Sequence, residues 1–508
     1  MGTALAGALL AAVPGPWPAG AERAGVKRAG AGIQWEACPG RPVPAGLRCG
    51  TLTVPLDHEG KGKGTVRIAV AKLPATAPGG KRIGSLVLNF GGPGAPGVST
   101  LAADPHAFAE LNKRYDLVAF DPRGVGRSAP VTCGGGTAEG DAAPDGPAAE
   151  LAALRAAARR CALDSGPVFP YVGTVSVARD MDLLRQALGE EKLDFLGFSY
   201  GTRLGAVYAA LFPRRTGRMV LDGVDTLTEP LGEQALLSAV GQQRALDNFL
   251  VWCAHRQGCV YGTNTRTARA KVQALVTRLD AAPLTGEGGV RFTGQDVAEA
   301  IGTALYARKT WPDLADALAL VERRGDPVGL MQLGGPDEPP PPPRPTGEVP
   351  DAAALPAVPA DNATAALVAV NCADDPDRGD DQASPADIAR ELAELRPVFL
   401  AASPIFGPRQ LMTVLACYGR PAGTDFIRRI DRPPGIPRML LVGTRGDPAT
   451  PYEWTEETAK RLGNTVVLDY KGDGHTGYVA SRCVQGYVDH FLIDGRLPSG
   501  TRSCPAED

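Results

Sequence analysis

The run Asp194-Phe195-Leu196-Gly197-Phe198-Ser199-Tyr200-Gly201-Thr202-Arg203-Leu204-Gly205 leaves this chain few ways to fold. Residues 195–198 are a short apolar stretch of the kind buried inside a sheet. Leu204, Val207, Tyr208 and Leu211 then recur at helical spacing until Pro213 ends the run. Between strand and helix lies Gly197-Phe198-Ser199-Tyr200-Gly201, the pattern G-x-S-x-G. Passing from strand to helix so quickly forces a sharp turn. Ser199 must take unusual φ/ψ, and the glycines two residues to either side let strand and helix approach closely. The helix start also aims backbone N–H groups at anything that reacts with the serine. The five-residue pattern arises by chance in glycine-rich chains; its flanking strand and helix are what mark Ser199 as a nucleophile.

With 508 residues the chain has room for one large decorated domain or two, and 44% hydrophobic residues supply an ample core. A net charge of −3 offers no basic footprint, which argues against nucleic acid as a partner. Residues 4–13 are apolar and are followed by Ala19-Gly20-Ala21, so residues 1–21 read as a secretory signal peptide, although no Lys or Arg precedes the apolar run. That run is too short to span a bilayer, and no other stretch is long and apolar enough, so a secreted chain without a membrane span is expected. Ten cysteines agree with export. They fall in near neighbours, and short loops close readily, so sequential pairing is expected: Cys38–Cys49, Cys133–Cys161, Cys253–Cys259, Cys372–Cys417 and Cys483–Cys504. Cys253, His255 and Cys259 resemble half a zinc site, but no second half lies near them. No metal or cofactor is expected.

Along the chain, residues 50–56 and 65–73 read as a hairpin around the turn 58–64. Residues 85–90, 115–120, 195–198 and 218–221 read as further strands, with a helix over 178–188 and a polar excursion after residue 128. Strands alternating with helices indicate a mostly parallel α/β sheet. After Asp225 the rhythm breaks into helical patterns at 236–252, 267–279, 294–306, 312–323 and 385–395, with a Pro-rich stretch at 334–359. The α/β rhythm returns with strands at 438–442 and 465–468 and helices at 453–462 and 483–493. The economical reading is a core over 35–225 and 436–508, interrupted by a helical cap over 226–435.

Two further residues complete a catalytic set. Asp447 follows the strand at 438–442 in Gly446-Asp447-Pro448, and His475 follows the next strand in Gly474-His475-Thr476-Gly477. Serine, then acid, then histidine, each past a strand end, is the chain order of an α/β-hydrolase. Ser199 would attack, His475 would carry the proton as general base and acid, and Asp447 would orient the imidazole. His58, His106, His255 and His490 sit in turns, helices or between cysteines, and Asp473 is too close in sequence to His475 to serve it easily. The oxyanion hole requires two backbone donors: Tyr200, and Gly92 with Gly91 as its alternative in Gly91-Gly92-Pro93-Gly94. Glu233, Asp374 and Asp375 are candidates to hold a substrate's amine, against the ordinary reading of solvated carboxylates. Asp121-Pro122-Arg123-Gly124 reads as a structural turn with an Arg–carboxylate contact.

Taken together, Val54-Pro55-Leu56-Asp57-His58, Asn89-Phe90-Gly91-Gly92-Pro93-Gly94, Asp121-Pro122-Arg123-Gly124-Val125-Gly126-Arg127-Ser128, the elbow, Gly446-Asp447-Pro448-Ala449-Thr450-Pro451 and Gly474-His475-Thr476-Gly477 resemble the secreted tripeptidyl aminopeptidases of actinobacteria, relatives of proline iminopeptidase. The closing Cys483 … Asp494-Gly495-Arg496-Leu497-Pro498 … Cys504 fits as well. The resemblance implies a serine exopeptidase that releases short N-terminal peptides, with Ser199, Asp447 and His475 in the roles above. Esterases and enzymes dedicated to one secondary metabolite share the family. One position departs: the proline iminopeptidase loop reads His-Gly-Gly-Pro-Gly, and here Phe90 takes the place of the histidine. A monomer acting on a peptide or small ester is expected.

Overall fold

The computed structural model describes residues 32–39, 43–60, 64–77, 81–134, 147–285, 290–334, 357–375, 377, 382–420, 423–498 and 502–507. The signal-peptide reading of 1–21 and most of the Pro-rich stretch lie outside these residues. Residues 32–508 form one compact unit.

Ten strands make the main sheet. In chain order they are β1 (Glu36–Ala37), β2 (Arg48–Pro55), β3 (Thr65–Leu73), β4 (Gly84–Asn89), β5 (Tyr115–Phe120), β6 (Leu193–Phe198) and β7 (Thr216–Asp222). A two-stranded hairpin, β8 (Leu284–Thr285) and β9 (Arg291–Phe292), stands apart. Then come β10 (Met439–Gly446), β11 (Thr465–Asp473) and β12 (Ser503–Cys504). The sheet order is β1-β2-β3-β5-β4-β6-β7-β10-β11-β12. Pairing is antiparallel from β1 to β5 and parallel from there to β12. This is the α/β-hydrolase fold.

The central strands are apolar on both faces because helices cover both. Side chains alternate: Val87, Val118, Phe195 and Leu221 enter one core, while Leu86, Leu88, Leu196 and Val220 enter the other. Between β7 and β10 the chain leaves the sheet. Helices Leu231–Ala254, Thr265–Ala281, Gly294–Ala304 and Trp311–Arg324 bury a separate core around Phe249, Trp311 and Phe406. The insertion is not all cap, however. Helix Asn362–Asp374 returns to the sheet, where Ala365, Ala366, Ala369 and Val370 join the core with Phe195.

The ten cysteines form five bonds: Cys38–Cys49, Cys133–Cys161, Cys253–Cys259, Cys372–Cys417 and Cys483–Cys504. Cys253 and Cys259 are bonded to each other and present no thiolates to a metal. Among the described residues no group of three or more His, Cys, Asp or Glu is placed to hold one, and no helix is long and apolar enough to cross a membrane.

Candidate active site

Ser199 follows β6 directly and precedes helix Tyr200–Leu211, with φ 55° and ψ −127°. A non-glycine residue at positive φ is costly and persists only where its surroundings enforce it. Here the Ser199 N–H donates to the Asp222 carbonyl at 2.9 Å, pinning the turn to β7. The two glycines of the pattern are required by contact. A Cβ on Gly197 would lie 2.5 Å from the Gly201 carbonyl oxygen, and one on Gly201 would lie 2.6 Å from Asn89 Oδ1.

β10 and β11 deliver the other two groups. Asp447, past the end of β10, is 1% exposed, and both its oxygens lie 2.9 Å from His475 Nδ1. Its remaining lone pairs are taken: Ala449 and Thr450 donate backbone N–H groups at 2.8 Å, Thr450 Oγ1 donates at 3.0 Å and Thr476 N–H at 3.3 Å. The His475 backbone N–H donates to the Tyr306 carbonyl at 2.7 Å, and the Tyr306 ring meets the imidazole edge-on at 5.1 Å. Burial alone would lower the His475 pKa, but Asp447 in contact, with Asp222 and Asp225 behind, holds it above the ordinary imidazole value. Ser199 Oγ makes no hydrogen bond to His475 in this structure; such bonds tighten when substrate binds.

Three supporting residues are ones that the sequence did not single out for the site. Asp222, fully buried at the end of β7, accepts the backbone N–H groups of Gly477 at 2.8 Å and Tyr478 at 2.7 Å and so anchors the histidine loop. Burial pushes its pKa up to about 6. Thr450 fixes Asp447. Tyr306, from the insertion, holds the histidine from the opposite side.

The two candidate oxyanion donors resolve on hydrogen bonding. The Gly91 N–H donates to Asn89 Oδ1 at 3.1 Å, whereas that of Gly92 has no partner among the described residues. The Tyr200 N–H stands at the first position of its helix, where no intrahelical acceptor exists. Gly92 and Tyr200 are therefore the two candidate donors left without an acceptor among the described residues.

Ser199, Gly92 and Pro93 open into a cleft of about 440 Å³ beneath the insertion. Leu231, Gln234 and Gln242 come to it from one helix, Ala298, Glu299 and Tyr306 from a second region, and Phe406 and Arg409 from a third. Its acids are Asp225 and Glu299. Glu299 pairs with Arg409 at 2.5 Å, and Asp225 Oδ1 receives Arg203 at 3.0 Å and the Thr226 N–H at 2.8 Å. Asp225 Oδ2 has no partner among the described residues.

The three acids that sequence singled out lie outside this lining. Glu233 is exposed. Asp374 is buried against Thr174, whose N–H donates to it at 2.8 Å and whose hydroxyl also donates. Asp375 accepts the Leu231 N–H at 3.1 Å and the Asp377 N–H at 2.9 Å. Asp374 and Asp375 border a separate chamber of about 20 Å³, room for little more than one water. The Arg123 turn is architectural: its guanidinium is fully buried, donates to Asp180 at 2.6 and 2.7 Å, and reaches the carbonyls of Leu56 and Pro55.

Comparison with known proteins agrees with this geometry. The family described as TAP-like protein matches residues 403–504, and the alpha/beta hydrolase fold family matches residues 84–321. Tripeptidyl aminopeptidase of Streptomyces lividans is 31% identical over 96% of this chain and 89% of its own length. This chain belongs to the tripeptidyl aminopeptidase-like family of α/β-hydrolases. Serine protease Hip1 of Mycobacterium tuberculosis is 32% identical over 96% of this chain and 93% of that protein. Carboxylesterase B of the same species is 31% identical over 90% and 86%. The chain is thus a serine hydrolase, and its family relatives include both peptidases and an esterase.

Proposed function

We propose that this protein is a secreted serine exopeptidase that releases short N-terminal peptides, tripeptides foremost, through an acyl-enzyme. The observation that carries this reading is the cleft of about 440 Å³ beneath the insertion, lined by Ser199, Gly92 and Asp225. That volume falls in the range of roughly 300–1,000 Å³ that encloses a compact ligand. The unpartnered Oδ2 of Asp225 accepts the substrate's free ammonium. Ser199 attacks the scissile carbonyl while His475 takes its proton, Gly92 and Tyr200 receive the oxyanion, and His475 returns the proton to the departing amine. Water then repeats the sequence on the ester. Five disulfides suit the oxidising exterior where such an enzyme would work. The catalytic unit is a monomer.

The likeness to Carboxylesterase B favours a second reading, hydrolysis of a small ester or of one dedicated metabolite by the same residues. A tripeptide p-nitroanilide with a free N-terminus, its N-acetyl twin and a short-chain aryl ester separate the two. Cleavage of the free peptide, at least about tenfold faster than of its acetylated twin, is the expected result. Turnover of the ester with no peptide cleavage would reject the exopeptidase. Ser199→Ala that kept full activity would reject the mechanism itself.

A further inference from the structure

Ser199 borders two cavities, and they lie on chemically different sides. The cleft under the insertion meets Ser199 together with Gly92 and Pro93, the side of the oxyanion donors. A second cavity of about 280 Å³ meets Ser199 together with His475 and Thr476. His475 is in the lining of this second cavity and not of the first. The histidine hands its proton to the departing atom, so the side on which it lines a cavity is the side on which the leaving group sits.

The walls of this bowl are aromatic. Phe90 stacks on Phe198 with ring centroids 6.1 Å apart, and meets Phe108 edge-on at 6.0 Å. Phe108 in turn stacks on Tyr478 at 5.7 Å, which braces the wall from behind. Val479 forms a lip and is 63% exposed. Among the described lining residues the one carboxylate is Asp104, which is exposed. Phe90 is the residue that stands where the related loop carries histidine, so the departure in the motif is what makes this wall apolar.

We propose that the bowl is the subsite for the first residue of the leaving group, and that it selects an apolar side chain, aromatic above all. The inference rests on the acyl-enzyme reading above and names the part of the substrate that reading leaves open. An acidic side chain would shed its water against phenyl rings and face Asp104; an aromatic one would stack on Phe90. In acylation the amide C–N bond breaks, the Ser199 Oγ–C bond forms, and the proton from Ser199 travels through His475 to the leaving nitrogen. The reverse step needs no further reactant. An amine seated in the bowl attacks the ester carbonyl, His475 takes a proton from the attacking nitrogen and returns it to Ser199 Oγ as the C–O bond breaks.

That reversal supplies the test. The purified enzyme is acylated from a tripeptide p-nitroanilide and, separately, from a p-nitrophenyl ester, in the presence of equal free-amine concentrations of phenylalaninamide, leucinamide, glycinamide or aspartic acid α-amide. Product analysis gives the ratio of aminolysis to hydrolysis, which does not depend on how fast the acyl-enzyme forms. Phenylalaninamide and leucinamide should intercept the acyl-enzyme at least about tenfold better than glycinamide, and aspartic acid α-amide should be poorest. Val479→Asp, a change at an exposed position, should cut interception by phenylalaninamide several-fold more than interception by glycinamide. Equal interception by all four amides, or none from an acyl-enzyme that water still hydrolyses, would overturn the subsite. Turnover of the ester alone would overturn the peptidase reading while the same ratios still decide the bowl. Turnover of neither donor would overturn both.

Discussion

Asp222→Asn separates two things this carboxylate does, holding the histidine loop and charging the histidine. The wild-type side chain is fully buried and accepts two backbone amides, from Gly477 and Tyr478. Asparagine keeps one acceptor and turns an NH₂ group toward the other amide, leaving a buried donor unpaired at a cost of about 1–3 kcal/mol. Against this stands the cost of ionising Asp222 in the fold. Burial raises its pKa from an ordinary 3.8 to about 6, which is about 3 kcal/mol at roughly 1.4 kcal/mol for each pH unit. The folded form holds its proton more tightly than the unfolded form, so stability falls as pH rises from 3.8 to about 6 and the penalty is complete above that. Asparagine never ionises. The variant should therefore be less stable than wild type near pH 4, and the difference should shift in its favour by about 3 kcal/mol by pH 7, leaving it at least as stable as wild type there. Thermal and urea unfolding of both proteins at the two pH values measure it. Activity gives an independent reading, because Asp222 is one of the charges that raise the His475 pKa. A general base must be neutral to act, so the acid limb of kcat/KM should move to lower pH in the variant. An unchanged stability gap together with an unmoved or upward-shifted limb would refute the reasoning.

Other perturbations probe neighbouring contacts. Thr450→Val removes the hydroxyl that reaches Asp447 at 3.0 Å but keeps the shape; kcat should fall about tenfold with KM nearly unchanged, as expected for a group that orients the acid. Asp225→Ala leaves Arg203, 4% exposed, without its carboxylate, and should cost about 3–5 kcal/mol of stability as well as raising KM for free-amine substrates but not for the aryl ester. Removing the Cys372–Cys417 bond by alanine replacement of both cysteines opens a loop with a sequence separation of 45; the expected loss is about 4 kcal/mol, read as a lower midpoint of thermal unfolding.

What could be read in the sequence follows from what each element is packed against. Strand β5 was legible to the residue, Tyr115–Phe120, because burial on both faces leaves an uninterrupted apolar run. Helix Pro147–Ser165 was not: its alanine- and arginine-rich sequence carries no apolar stripe, and it read as a polar excursion. Helix Asn362–Asp374 escaped for the opposite reason. Its small apolar residues run round the circumference, with Leu367 on the exposed side as well as Ala365, Ala366, Ala369 and Val370 in the core, so no stripe stands out. Ser199, Asp447 and His475 announced themselves as residues past strand ends in a fixed chain order. Asp222 did not, because the amides that give it meaning come from 255 and 256 positions further along. Asp374 and Asp375 looked available for a ligand and are instead consumed by Thr174 and the Leu231 N–H, partners no local pattern discloses.

The insertion was the natural place to look for all of the specificity, and the two cavities at Ser199 argue for a division instead. The proposed acyl side lies under the insertion, whose lining residues come from four separate stretches of chain, at 231–242, 298–306, 367–371 and 406–413. The proposed leaving side is walled by Phe90, just past β4, by Phe198, at the end of β6, and by the loop that carries His475. Those positions are fixed by the strands that also fix the chemistry. A change at Phe90 therefore alters what may leave, while the Gly91–Gly92 backbone beside it goes on supplying its donor. If that division holds, exchanging the insertion with that of a relative should change the residues accepted before the scissile bond and leave the preference after it intact.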